Sequence, residues 1–490
     1  MRTSMLAMTA TLLGTSALAQ DIPQADSDWF TAAQERLQTQ LDAQPNTNTA
    51  KNVIVLVSDG NGVGTNYASR LWAGQQEGGL GDDYNQPHDL FPNLALVKTY
   101  NVNAQTPDSA GTGTAMMSGI KTKAGIIGVT EDVNRGDCST LPGNTVASLN
   151  EIMTEMGKET GIVSTARITH ATPASAYAKT ADRNFEASVP EGCTEQADIA
   201  TQLIEAMRSG VIDLAIGGGM RNFHADDGGR REDGVNLIEI AQTELGAHFA
   251  MDQASFEAAP LDGTPILGLF ENSHMMYEAD RTDEPSLAEM TAAAITALEA
   301  KSGDNGFFLQ IEAGRVDHAN HAGNLARVVQ DQKAFADAVA MADELTDDEE
   351  TLIVVTADHE HAIAFNGYCG RGSNILGLCM GINGDGVEHT GEAELASDGK
   401  PFTVAGYLNG AGSVLIEQPD GSYFGTRPNV TEEEATDIDY PQQALVPKSS
   451  ETHSGEDVAV YAKGPWAHLF NGTIEQNLIF HVMHHAATAE

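Results

Sequence analysis

The stretch NVIVLVSDG, residues 52–60, sets five unbroken apolar residues, Val53 to Val57, against an abrupt polar stop at Asp59. A half-buried strand alternates apolar and polar residues, whereas an unbroken run belongs to a strand covered on both faces. The same pattern recurs in GIVSTARITHAT (161–172), VIDLAIGGG (211–219), GFFLQIEAG (306–314) and TLIVVTADHEH (351–361). Between these runs lie helical patterns such as LARVVQDQKAFADAVAMADE (325–344), with apolar residues three and four apart. The expected fold is α/β: a large central, mostly parallel sheet flanked by helices on both faces. Ligands of such sheets bind beyond the carboxyl ends of the strands. The runs stop at Asp59, at His170 and Thr172, at Glu312, and at Asp358, His359 and His361. Carboxylates and histidines are thereby sent to one edge of one sheet, which marks that edge as a site.

Composition excludes several function classes. The chain has 490 residues, 26 Lys and Arg against 70 Asp and Glu, and a net charge of −44. Nucleic-acid binding needs a basic footprint that this balance denies. So large an acidic surplus predicts a surface that stays soluble when salt screens its self-repulsion, and hence a halophilic or marine source. MRTSMLAMTATLLGTSALAQ opens with Arg2, continues with an apolar stretch and offers Ala17-Leu18-Ala19 as a cleavage site, so 1–19 is expected to be a signal peptide and the protein exported, periplasmic or secreted. No segment offers the ~18 uninterrupted apolar residues of a membrane span. Four cysteines, Cys138, Cys193, Cys369 and Cys379, lack zinc-ribbon spacing. In an oxidising compartment they read as two disulfides, and of three possible pairings Cys138–Cys193 with Cys369–Cys379 is expected.

Three motifs carry the chemistry. DGNGVG (59–64) has the look of a dinucleotide loop, but Asp59 before the first glycine would repel a pyrophosphate. Asp59 is better read as a metal ligand. EAGRVDHANHAGN (312–324) gathers Glu312, Asp317, His318 and His321. A helix through Asp317 would set Asp317 and His321, four apart, on one face, the arrangement a metal needs. TPDSAGTGTA (106–115) places Ser109 among small residues, either as a nucleophile at a helix start or as a polar turn.

VSDG, TPDSAGTGTA, THATPASA, EAGRVDHANHAGN, TADHEH and THSGEDVAVYAKGP occur in the order found in alkaline phosphatases, and the resemblance spans roughly residues 50 to 465. It implies a metal-dependent phosphomonoesterase acting through a phosphoserine, with two Zn2+ and one Mg2+. By this resemblance one zinc takes Asp317, His321 and His453. The second takes Asp59, Ser109, Asp358 and His359. The magnesium takes Asp59, Thr172 and Glu312, and Arg183 grips the phosphate. Two positions that vary among relatives are histidines here: His170, expected to tune the third metal, and His318, expected to reach phosphate through water. Ser109 then reads as the nucleophile, at a helix N-terminus that favours an anion. Two zinc ions about 4 Å apart suit in-line displacement at a phosphate monoester, and Arg presents a planar fork to two of its oxygens.

The remaining stretches set the domain plan. Residues 20–50 form a helical arm, with Trp29, Phe30, Ala33, Leu37 and Leu41 at helical spacing, packed on its own subunit or reaching a partner. The resemblance implies a homodimer. The catalytic domain is expected at 51–365 and 448–490; the 93 residues between His359 and His453 exceed what a sheet connection needs, and the resemblance implies that 366–447 is an inserted crown-like subdomain. A phosphodiesterase or sulfatase of the wider superfamily would share the two-metal core. An acidic exported binding protein would need no Ser109. Arg183, Thr172 and Glu312 favour the monoester.

Overall fold

The computed structural model describes residues 22–226, 228–383 and 388–489. The expected leader, 1–19, lies outside them. All seven residues of β1 (Asn52–Ser58) are buried, as its unbroken apolar run requires. It lies in a ten-stranded sheet with β2 (Asn93–Lys98), β3 (Glu159–Arg167), β4 (Leu214–Gly218), β5 (His248–Ala250), β6 (Ile266–Leu269), β7 (Phe307–Ala313), β8 (Thr351–Ala357), β9 (Val458–Lys463) and β10 (Thr473–Glu475). The order is β10-β2-β9-β8-β1-β7-β3-β4-β6-β5. Every pairing is parallel except those of β9, which runs antiparallel to both β8 and β2.

Both faces are covered, by different partners. Ile54 and Leu56 join one core with residues of helices α2 (Val63–Gln76), α4 (Leu287–Ser302) and α6 (Leu325–Leu345). Val53, Val55 and Val57 point the other way, onto Met116 and Met117 of α3 (Ser109–Ser118) and Ile479 and Met483 of α7 (Leu478–Thr488). Each such side chain contributes about 1.5–3 kcal/mol on burial, which holds the central strands rigid beneath the loops at their ends. α5 (Arg315–His321) follows β7 directly, and it carries the Asp317/His321 pair on one helix as expected.

Between residues 363 and 447 the chain builds small sheets of its own. Ile363–Phe365, Ala405–Gly410 and Ala444–Pro447 form one of three strands, so that sheet takes its first strand from before the expected boundary at 366. The cysteines pair as Cys138–Cys193 and Cys369–Cys379. The first closes a 55-residue loop, which removes about 4 kcal/mol of unfolded-chain entropy. Met1–Gln44 form a separate unit, of which the described part holds α1 (Asp28–Asp42) with Trp29, Leu37 and Leu41 exposed. No helix among the described residues is long and apolar enough to cross a membrane.

Candidate active site

The strand ends converge as the sheet order dictates. Asp59 follows β1, and Glu312 lies on β7 opposite Val57. Asp358 and His359 follow β8, next to β1 on its other side, while His170 and Thr172 follow β3, beyond β7. Because β9 is antiparallel, its beginning lies at this same edge. His453, just ahead of it, pairs with His361 in a short antiparallel ladder.

Ser109 is the first residue of α3, and Asp108 is its N-cap, with Oδ1 accepting from Gly111 N at 3.1 Å. The turn reading of TPDSAGTGTA is therefore excluded. All ten residues of α3 are buried, and a Cβ at Gly111 would meet the Asn101 side-chain amide at 2.5 Å, so only small residues fit. Ser109 Oγ lies 3.2 Å from His359 Nε2 and 3.4 Å from Asp59 Oδ2. Asp108 Oδ2 also accepts from Arg183 Nη1 at 3.1 Å, and Arg183 Nη2 lies 3.0 Å from His170 Nε2. The guanidinium is thus fixed beside the serine.

At this edge, among the described residues, three groups of ligand atoms form, each within 4.8 Å of one another: Asp317, His321, His361 and His453; Asp59, Asp317 and His359; and Asp59, His170 and Glu312. His321 Nδ1 faces the Glu451 carbonyl at 2.7 Å and His453 Nδ1 the Pro107 carbonyl at 2.8 Å. Each Nδ1–H is donated outward, which leaves the Nε2 lone pair facing inward, 3.4 Å and 3.2 Å from Asp317 Oδ1. His170 enters the third group with a ring nitrogen of its own, closer in than the flanking role expected of it.

The electrostatics call for cations. Burial, then the charges of Asp358, Asp317 and Glu312, push the Asp59 carboxyl well above its ordinary range. Burial lifts Glu312 to about 7 against the hydrogen bond from Ser164. Burial raises Asp317 too, but His321, His361 and His453 outweigh it and hold it well below the usual range. Burial drives His359 and His321 toward the neutral form, the one that binds a metal. Thr172 Oγ1 and Glu312 Oε1 are buried with no hydrogen-bond partner among the described residues. Crowded carboxylates, neutral imidazoles and unpaired oxygens together fit divalent ions.

Some members of the cluster lie outside the ligand sets that the resemblance implies. His361 bridges Asp317 (2.8 Å) and Glu451 (2.5 Å), and these two carboxylates overcome burial to raise it to about 10. Its alternation with His359 was a usable signal; Glu451 had none. His318 packs its ring 3.9 Å from that of His274, with His170 at 5.5 Å. Nothing in the sequence singles out His274.

Solved alkaline phosphatases share the fold at low identity: that of Thermus thermophilus has a TM-score of 0.65 at 22% identity, covering 93% of this chain and 94% of its own. The enzyme of the Antarctic bacterium TAB5 has a TM-score of 0.62 at 23%, covering 90% and 100%. Curated relatives are more similar in sequence. The human tissue-nonspecific alkaline phosphatase isozyme is 38% identical, over 97% of this chain and 91% of its own length. The Gadus morhua alkaline phosphatase is 39% identical, over 95% and 97%. The alkaline phosphatase family model matches residues 50–489, and the chain belongs to that family.

Proposed function

We propose that this enzyme hydrolyses phosphate monoesters to an alcohol and inorganic phosphate through a phosphoserine on Ser109. The observation that carries the reading is Ser109 Oγ at a helix N-terminus, 3.2 Å from His359 Nε2, with Arg183 pinned alongside. Asp317, His321 and His453 would hold one zinc; Asp59, Ser109, Asp358 and His359 a second; Asp59, Thr172 and Glu312 a magnesium. Bound there, the ions supply the positive charge that offsets the carboxylates and polarises the phosphoryl oxygens.

The chain's own groups do the rest. Arg183, held by Asp108 and His170, presents its fork to two nonbridging oxygens and sets the phosphorus in line with Ser109. Ser109 Oγ loses its proton as its bond to phosphorus forms and the ester P–O bond breaks, and the departing alkoxide takes up a proton. Water then attacks phosphorus from the side the alcohol left, the Ser109 Oγ–P bond breaks, and a proton given up by that water passes to Ser109 Oγ. His318 meets the phosphate through water, and His170, neutral where a carboxylate would add charge, loosens the magnesium site.

The disulfides and the leader sequence support export to the periplasm or beyond. The expected homodimer, arm, crown-like segment 366–447 and high-salt habitat belong to the same reading. Activity on p-nitrophenyl phosphate should greatly exceed that on its bis-ester, vanish on chelation, and return only when zinc and magnesium are both restored. A preference for the bis-ester, or full activity after exhaustive chelation, refutes it.

A further inference from the structure

The glycines of DGNGVG, which resemble a phosphate loop, face protein side chains. A Cβ at Gly60 would meet His361 Nε2 at 2.5 Å, and one at Gly62 would collide with the Glu360 carboxylate. α2, the 14-residue helix that begins at Val63, has no side-chain cap from its own N-cap, Gly62. Glu360 fills that place from 296 residues beyond Gly64. Its Oε2 accepts from Gly64 N at 2.8 Å and Thr65 N at 3.4 Å, and its Oε1 from Thr65 Oγ1 at 2.7 Å and His361 N at 3.0 Å. The residue is 4% exposed. An anion at a helix N-terminus is favourable, and here the anion belongs to the segment that carries Asp358, His359 and His361.

We infer that Glu360 is a positioning residue: its carboxylate, docked on the N-terminus of α2, locks the Asp358–His361 segment to the loop of Asp59 and so sets the zinc-binding geometry. A second tie runs in parallel, from Gly60 N to Asp358 Oδ1 at 3.0 Å. Without Glu360, only that hydrogen bond and the β1/β8 pairing, which ends at Ser58 and Ala357, hold Asp59 in register with Asp358 and His359. The glycines at 60 and 62 are the complement of this dock, since any side chain there would displace the residues that make it. This inference rests on the reading of Asp59, Asp358 and His359 as metal ligands.

The test is zinc binding by the full chain, stripped of metal and dialysed to equilibrium against buffered free zinc, with bound zinc measured directly and p-nitrophenyl phosphate hydrolysis measured in parallel. Glu360→Gln keeps the shape and removes the charge. It should raise the free zinc needed for half-occupancy by about 10–100-fold, the range for groups that orient metal ligands, while leaving KM at saturating zinc unchanged. A rise below about fivefold, or a KM change with zinc affinity unmoved, overturns the inference and leaves Glu360 a helix cap only. If Glu360→Gln does not fold, Gly62→Ala, which pushes a methyl group into the same carboxylate, must show the same loss. Asp358→Ala separates the two levels. If it binds zinc like wild type, the ligand reading has failed; if it loses zinc while Glu360→Gln does not, only the positioning role has failed.

Discussion

Tyr407→Phe tests whether the small sheet beyond residue 363 supports the metal centre. Tyr407 lies on the strand Ala405–Gly410, 4% exposed, and its hydroxyl donates to Asn320 Oδ1 at 2.5 Å. Asn320 is fully buried on α5 between Asp317 and His321, and its Nδ2 donates to the Gly60 carbonyl at 3.3 Å. One hydroxyl thus fixes the amide that ties the Asp317 helix to the Asp59 loop. Removing it leaves a buried acceptor unpaired, which costs about 1–3 kcal/mol. With an unfolding entropy of ~2.1 cal/mol/K per residue, a chain of this size loses roughly 1 °C of melting temperature per kcal/mol, so a fall of about 1–3 °C is expected. The kinetic effect should be larger, because ångström-scale misplacement of reacting groups costs up to about 100-fold. Circular-dichroism melts in zinc- and magnesium-saturated buffer, with steady-state kinetics on p-nitrophenyl phosphate, measure both. Turnover should fall by roughly tenfold, within that range. A variant with wild-type melting temperature and turnover would refute any role for the Tyr407–Asn320–Gly60 chain in holding the metal centre.

Ser109→Ala should lower turnover by several orders of magnitude while Asp59, Asp358 and His359 still retain the metal by elemental analysis; near-wild-type activity would remove Ser109 as nucleophile. Arg183→Ala should weaken inhibition by inorganic phosphate by about 1.5–3 kcal/mol for each charge-assisted hydrogen bond it removes, and an unchanged inhibition constant would take Arg183 out of the site. Asp331, buried on α6, is lifted by burial to about 8. Its folded pKa lies above its unfolded one, so its contribution to stability is complete below about pH 4 and is lost as pH rises through 8. Asp331→Asn should therefore flatten the fall in melting temperature between about pH 5 and pH 9, and a slope equal to wild type would place the burial penalty elsewhere. With a net charge of −44, the melting temperature should rise as salt increases from about 0.1 M, and a fall would refute the reading of the acidic surface.

What the sequence revealed and what it hid divide by the range of the interaction. Val53–Val57 and its counterparts announce a sheet buried on both faces, because burial acts on each strand separately and leaves its mark within seven residues. The Asp317/His321 pair is visible for the same reason, since one turn of helix sets its geometry. His453 is different. Its place at the sheet edge depends on β9 running antiparallel, and no pattern within VAVYAK states a strand's direction. The resemblance to a known family supplied it where periodicity did not. His274 reaches His318 by a fold-dependent contact across 44 residues, and Glu451 reaches His361 across 90, with no repeating signal at either end.

DGNGVG shows how such hidden contacts distort a local reading. Asp59 argues against a pyrophosphate, yet the glycines and the helix that follows are those that could receive an anion. Both facts hold, because the anion is Glu360 of the same chain, bound at Gly64 N and Thr65 Oγ1. A phosphate in the place of Glu360 at the N-terminus of α2 would bring about two negative charges. The internal carboxylate brings one, and the N–H groups of Gly64, Thr65 and His361 and the Thr65 hydroxyl already meet it. Glycine is required at 60 and 62 on either reading, for close approach of a group to the backbone. Only the identity of that group differs, and it is decided far downstream, at Glu360. A glycine-rich turn before a helix therefore specifies a place for an anion, and the charge of the neighbouring residues decides whether the occupant is a ligand or the protein's own side chain.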